Sequence, residues 1–292
     1  MRVNKKTGII FAILAAAFYA LNSPLSKLLL EDIPATMMAA LLYLGAGIGL
    51  AVMGSVRKLS GKRERELPLT RRELPFTVGM VMLDIAAPIL LMVGLTMTTA
   101  ANASLLNNFE IVATSMIALF AFGERISRRL WIGIGLVMLS SMILTFENSG
   151  SFSFSMGSVL VLLACVCWGL ENNCTRKLSS KNPLQIVVIK GLFSGLGSLV
   201  IALLLGERIN SVVNVIWALL LGFVAYGMSI YFYIYAQRAL GAAKTSAYYA
   251  VAPFVGVVLS LFLFHQMPDI SFVIAFLIMI AGTWFVTTDT SH

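Results

Sequence analysis

The sequence predicts an all-α membrane protein of ten transmembrane helices, built as two inverted five-helix repeats with both termini in the cytoplasm. Three observations predict it. Ten separate apolar runs are long enough to cross a bilayer, Lys and Arg lie almost wholly on one side of them, and the second five runs echo the first.

The apolar content comes first. The 292 residues are 59% hydrophobic and 12% charged, against about 25% charged in an average soluble domain. A water-soluble fold of this length cannot bury that much apolar surface, whereas lipid solvates it. A crossing helix needs roughly 20 apolar residues. Runs at 8–30, 34–56, 75–98, 100–123, 130–146, 155–178, 183–206, 211–237, 242–265 and 271–288 qualify as spans 1 to 10. Pro34, Pro75, Pro183 and Pro268 mark several boundaries. The first run continues past Asn22 and Pro24 to Leu30, too long for the core of a cleavable signal. Spans 3 and 4 join through a short turn near Thr98–Ala101 and form an antiparallel hairpin.

The loop charges orient the spans. With the N-terminus inside, 18 Lys and Arg fall on the cytoplasmic side and two, Lys27 and Arg208, outside. This asymmetry accounts for the net charge of +8 as topology charge near anionic lipid and not as a nucleic-acid footprint. Cys165, Cys167 and Cys174 share one apolar run and form no disulfide framework. The two histidines have no metal-ligand spacing, and no cofactor motif is present.

The repeat comes last. At an offset of 142, Ala101, Ser104, Leu119, Phe120 and Phe122 meet identical residues at 243, 246, 261, 262 and 264. At an offset of 149, Gly8, Ala15, Leu21 and Leu29 meet Gly157, Ala164, Leu170 and Leu178. Tyr19 then faces Trp168. The units are residues 1–149 and 150–292. Each holds an odd number of spans, so the halves enter the membrane from opposite sides.

The five-plus-five plan, Tyr19-Ala20 echoed by Trp168-Gly169, and Gly123-Glu124 ending span 4 resemble the EamA-type transporters of the drug/metabolite transporter superfamily. Span 9 departs from that pattern by ending in His265-Gln266. Span 4 carries Glu110-Ile111 where span 9 has Ala252-Pro253. The resemblance implies movement of small organic solutes, often export of amino acids or metabolites, by alternating access without ATP.

Ionisable side chains inside a membrane are costly and usually face a bundle interior or cavity. Four stand out: Asp84, Glu110, Glu171 and Lys190. Glu110 is near the midplane of span 4, with Asn107 on the same face and Asn108 about 100° around. These serve either a ligand or proton, or a polar network fastening helices. Asp84 lies one turn before Pro88, which frees its carbonyl and favours a gate or ion site; the bland alternative ties it to nearby hydroxyls. Trp168, Glu171 or Asn172, and Thr175 share a face of span 6, matched by Tyr19, Asn22 and Ser26 in span 1. Lys190 either snorkels to the surface or pairs with Glu171 or another buried acid. Three acids and one base sum to −2 when all are ionised, so a proton or another cation belongs among them. Span 8 and span 9 contribute Tyr226, Tyr248 and Tyr249, suiting an amphipathic cation or an amino-acid-like solute. For Tyr231, Tyr233 and Tyr235 an interfacial role is at least as good.

Tyr19, Asn22, Asn107, Asn108, Trp168, Glu171, Asn172, Tyr226, Tyr248 and Tyr249 are thus the candidate solute contacts, and Glu110, Asp84 and Lys190 the candidate proton or cation couplers. HExxH, GxSxG and GxxxxGK[ST] are absent, which argues against a membrane enzyme and an ATP-driven pump. The sequence is therefore read as a multi-pass secondary transporter of the cytoplasmic membrane, proton-coupled, acting as monomer or homodimer. The alternatives are a non-transporting sensor or assembly protein and a membrane-embedded enzyme.

Overall fold

A computed structural model describes residues 5–60, 67–122, 127–145, 155–178, 180–209, 211–240, 245 and 248–288. Gly123, Glu124, Ser246 and the junction at 149 and 150 lie outside the described residues. Among the described residues every regular element is helical. Eight stretches are long and apolar enough to cross a membrane.

The first is α1 (Lys5–Ala20) and α2 (Asn22–Leu29), joined at Leu21. Pro24 has no amide for the Ala20 carbonyl, so the ladder slips there and Leu21 bonds back to Phe18 at 3.2 Å. Next is α3 (Ala35–Leu59), whose first amides are capped from afar: Glu207 accepts from Thr36 and Met37 at 3.3 and 2.6 Å. A 3₁₀ turn (Arg71–Glu73) leads into α4 (Leu74–Met97). Lys27 finishes α4, its ammonium donating to the Leu95 and Thr98 carbonyls at 2.5 and 2.9 Å.

Then follow α5 (Ala100–Leu106), α6 (Phe109–Phe122), α7 (Arg128–Thr145), α8 (Met156–Leu178) and α9 (Pro183–Leu204). The expected span 8 is composite. It comprises α10 (Val212–Leu221), a π-helical segment Gly222–Met228, and α11 (Ser229–Leu240). The chain ends with α12 (Ala252–Phe264) and α13 (Ile270–Thr287).

Two expected spans are not single long helices among the described residues. Span 4 is divided between α5 and α6 by a turn at Asn107–Asn108. Span 9 resumes as the 13-residue α12 after a turn at Ala250–Val251. In both cases a residue type that weakens the ladder sits at the break. Asn side chains compete for backbone partners, and Pro253 leaves the Tyr249 carbonyl without its usual donor.

Among the helix pairs that pack together are α3 with α9, α4 with α8, α7 with α13, α1 with α11, and α5 with α12. Two crossings need glycine. A Cβ on Gly47 would lie 2.6 Å from the Leu192 nitrogen, and one on Gly191 would lie 2.4 Å from the Gly47 nitrogen. Gly94 and Gly157 face each other likewise, each Cβ position 2.8 Å from the other's carbonyl oxygen. Such contacts let backbones approach where apolar area gives no net drive. Val56, Met82, Phe120, Phe193, Trp217 and Phe262 lie exposed on the outer surface, as a lipid-solvated perimeter requires.

Candidate functional site

The break in span 4 builds the first part of the site. Beyond Asn107 the backbone tightens from i−4 to i−3 bonding. The Asn108, Glu110 and Ile111 amides bond to the Leu105, Asn107 and Asn108 carbonyls at 3.2, 3.2 and 3.1 Å. The Leu106 carbonyl, freed by this shift, accepts from the Cys165 thiol at 3.6 Å. The Asn107 amide oxygen lies 3.9 Å from the same sulfur. Asn108 folds back, its Nδ2 donating to the Leu105 carbonyl at 3.3 Å. The Asn108 amide nitrogen therefore serves the break itself, while its Oδ1 is buried without a hydrogen-bond partner.

Glu110 stands in the first turn of α6, where the helix dipole favours a carboxylate. Its Oε1 accepts from Asn172 of α8 at 2.7 Å, and Asn172 also reaches Thr114 Oγ1 at 3.3 Å. The residue is partly exposed, unlike the other three buried ionisable groups.

Those three form one cluster. Lys190 Nζ of α9 lies 3.0 Å from Glu171 Oε1 of α8 and 3.1 Å from Asp84 Oδ2 of α4. Tyr43 of α3 donates to Asp84 Oδ1 at 2.8 Å, and Thr175 donates to Glu171. Exposures of 0%, 2% and 6% for Asp84, Glu171 and Lys190 leave no path to the surface, so Lys190 pairs and does not snorkel. Four helices are fastened at this point. Gly191, beside Lys190, brings α9 onto α3 and holds the ammonium at this depth.

Aromatic rings continue the site. The Tyr43 and Tyr226 ring centroids are 5.1 Å apart, Tyr19 and Tyr226 6.1 Å, and Tyr19 and Tyr249 5.7 Å. Asn22 donates to the Tyr226 hydroxyl at 3.1 Å and is held by Ser26, also at 3.1 Å. Trp168 is buried against the Tyr43 hydroxyl. Glu110 is within electrostatic reach of Tyr19, Tyr226 and Tyr249. The π-helical segment, with its extra residue per turn, carries Tyr226 into this group.

The structure thus joins Tyr19, Asn22, Trp168, Glu171, Asn172, Tyr226 and Tyr249 to Glu110, Asp84 and Lys190. Tyr248 is 37% exposed and stands apart, because neighbours on a helix point about 100° away from each other. Tyr43 was missed by sequence reasoning. Its signal was a lone phenol in the middle of the apolar run 34–56. Tyr233, for which the sequence makes an interfacial role at least as good as a place in the site, has its ring 4.9 Å from that of Tyr249. Tyr231 instead meets Arg57, whose guanidinium lies 5.2 Å from its ring centroid, and packs against Tyr235. Among the described residues no group of three His, Cys, Asp or Glu side chains is arranged to hold a metal ion.

This arrangement, a helical bundle with a polar and aromatic interior broken near its middle, has known counterparts. The EamA-like transporter family matches the chain twice, over residues 6–146 and 155–288. A protein of Methanothermobacter thermautotrophicus, described as an uncharacterized transporter, is 26% identical over 295 aligned positions, 95% of this chain and 85% of its own. The uncharacterized inner membrane transporter YedA of Escherichia coli K12 is 23% identical over 240 positions, 78% of this chain and 74% of its own. One crystal structure superposes with a TM-score of 0.68 over 97% of this chain and 96% of its own, at 17% identity, which shows a shared fold. The chain belongs to the EamA-like transporter family and is a multi-pass transporter of the cell membrane.

Proposed function

We propose that the protein is a secondary active transporter for a small organic solute bearing a positively charged amine, either an amine or an amino acid. It works by alternating access, exports its solute, and couples export to protons. Export is the direction implied by the family resemblance. The observation that carries the solute class is Glu110. It is the partly exposed acid of the site, Asn172 is its one side-chain donor among the described residues, and Tyr19, Tyr226 and Tyr249 lie within electrostatic reach of it. A carboxylate with tyrosines nearby favours an ammonium over a neutral or anionic group.

The membrane arrangement belongs to the same proposal: ten spans, two inverted repeats divided near residues 149 and 150, and both termini cytoplasmic. The packing pairs support it. Exchanging the halves turns the pair of α1 and α11 into that of α4 and α8, and returns each of the other three pairs to itself. The breaks at Asn107–Asn108 and Ala250–Val251 fall one residue apart at the repeat offset of 142. Interrupted helices near the midplane are where transporters of inverted design place their solutes.

The test is thermal stability of the purified protein in lipid nanodiscs with tyramine, putrescine, agmatine or zwitterionic amino acids. A solute at a hundredfold its Kd stabilises by about 2.7 kcal/mol. An amine-bearing solute should stabilise the wild type and leave Glu110→Gln unmoved, and should show counterflow in proteoliposomes. Stabilisation by a solute without a positive charge, or equal stabilisation of Glu110→Gln by a cation, overturns the proposal.

A further inference from the structure

Four ionisable side chains share the interior, but their surroundings differ in kind. Asp84, Glu171 and Lys190 are buried on every side and joined by ion pairs at 3.0 and 3.1 Å. A solute cannot enter that cluster without pulling apart α4, α8 and α9. A proton can. Glu110, partly exposed and bonded to Asn172, has room for a larger cation.

Charge gives the occupancy. Among the described residues Lys190 is the one cation in contact with the two carboxylates. The other groups facing the cluster are Tyr43 of α3, Cys174 and Thr175 of α8, Tyr226 of the π-helical segment and Glu110 of α6. The hydroxyls and the thiol bring no positive charge, and Glu110 brings a second negative one. Two carboxylates sharing one ammonium leave one net negative charge in a medium where an uncompensated charge is expensive.

We infer that the Asp84–Lys190–Glu171 cluster is a one-proton site, separate from the solute site at Glu110. The proton adds to one of the two carboxylates and forms a carboxylic acid. Lys190 keeps its own proton and stays paired with the other carboxylate, so the cluster passes from one net negative charge to zero. The inference rests on the reading of Glu110 as the solute's acid. On that reading the buried charge is the same in both loaded states. A monocation neutralises Glu110 while the cluster is deprotonated, or a proton neutralises the cluster while Glu110 is empty. For a solute of net charge +1, exchange of one proton for one solute follows. Glu171 and Asn172 are adjacent in α8, so one helix touches both sites.

The experiment is infrared difference spectroscopy against pH on the protein in nanodiscs without added solute, following the C=O stretch of a protonated carboxyl. Above about pH 6, where exposed carboxyls are already ionised, the wild type should show a titrating band from the cluster. Asp84→Asn and Glu171→Gln each leave a neutral pair with Lys190, so each should fold and lose that band. Glu110→Gln should keep it. A band lost in Glu110→Gln, a band retained in both Asp84→Asn and Glu171→Gln, or no titrating carboxyl in the folded wild type overturns the inference. No solute is present, so failure of amine binding in the stability assay is a separate result.

Discussion

Asn172 donates to Glu110 across 2.7 Å, while its neighbour in the chain, Glu171, lies 3.0 Å from the Lys190 ammonium. Two consecutive residues of α8 therefore hold the two acidic parts of the interior, one bonded through an amide and the other through an ion pair. This adjacency sets the expected behaviour of substitutions on either side.

Lys190→Met removes the cation shared by two buried acids. Breaking a buried ion pair from one side typically costs about 3–5 kcal/mol. The variant should lose most of its monodisperse peak in size-exclusion chromatography. Adding Asp84→Asn should recover part of the stability, because one buried acid, Glu171, then lacks a cation instead of two. Equal instability of single and double variants would show that packing, not charge, holds this point.

Tyr43→Phe keeps the ring against Tyr226 and removes the hydroxyl bonded to Asp84 at 2.8 Å. Hydrogen bonds to charged groups contribute about 1.5–3 kcal/mol. A lower melting temperature is expected in the wild type and a much smaller drop in an Asp84→Asn background. Additive losses would argue that the hydroxyl does not act on the carboxylate.

Gly47→Leu should be strongly damaging. Even a Cβ there would sit 2.6 Å from backbone of α9, so the crossing of α3 and α9 must open. Overpacking costs typically 1–3 kcal/mol, roughly, where side chains can shift, and backbone cannot. Gly135, with nothing within 4 Å of its Cβ position, is the control. Similar expression of both leucine variants would refute the close crossing.

Asn172→Leu leaves Glu110 without its side-chain donor while sparing Lys190 and Glu171. Solute selection should change more than stability. The measurement is the stabilisation produced by a primary amine in the variant and in the wild type. An unchanged response with lowered intrinsic stability would make Asn172 part of the scaffold alone.

Much of the site was legible as composition at depth. Three acids, several amides and a lysine in apolar runs are costly wherever they lie in a membrane, so the sequence marks them. Pairing was legible only as a choice: Lys190 was assigned to Glu171 or another acid, and the structure gives it both. Asn107 and Asn108 were visible as polar, not as a break, because helical spacing assumes the helix it is used to describe. Tyr43 was invisible since a phenol in an apolar run reads as core. Tyr248 and Tyr249 could not be separated without knowing which way the helical residues before the turn at Ala250–Val251 face.

The sequence by itself determined the membrane setting, the apolar spans and the residues whose burial would have to be compensated. Hydropathy and charge act locally, along the chain, and need no knowledge of neighbours. Only the tertiary structure decided which distant helices meet, and therefore that Asp84, Glu171 and Lys190 form one closed cluster while Glu110 stands beside it with a single amide donor. Ion pairing depends on separations of about 3 Å between side chains, and such distances are set by glycine crossings such as Gly47 on Gly191, not by any periodicity in the chain.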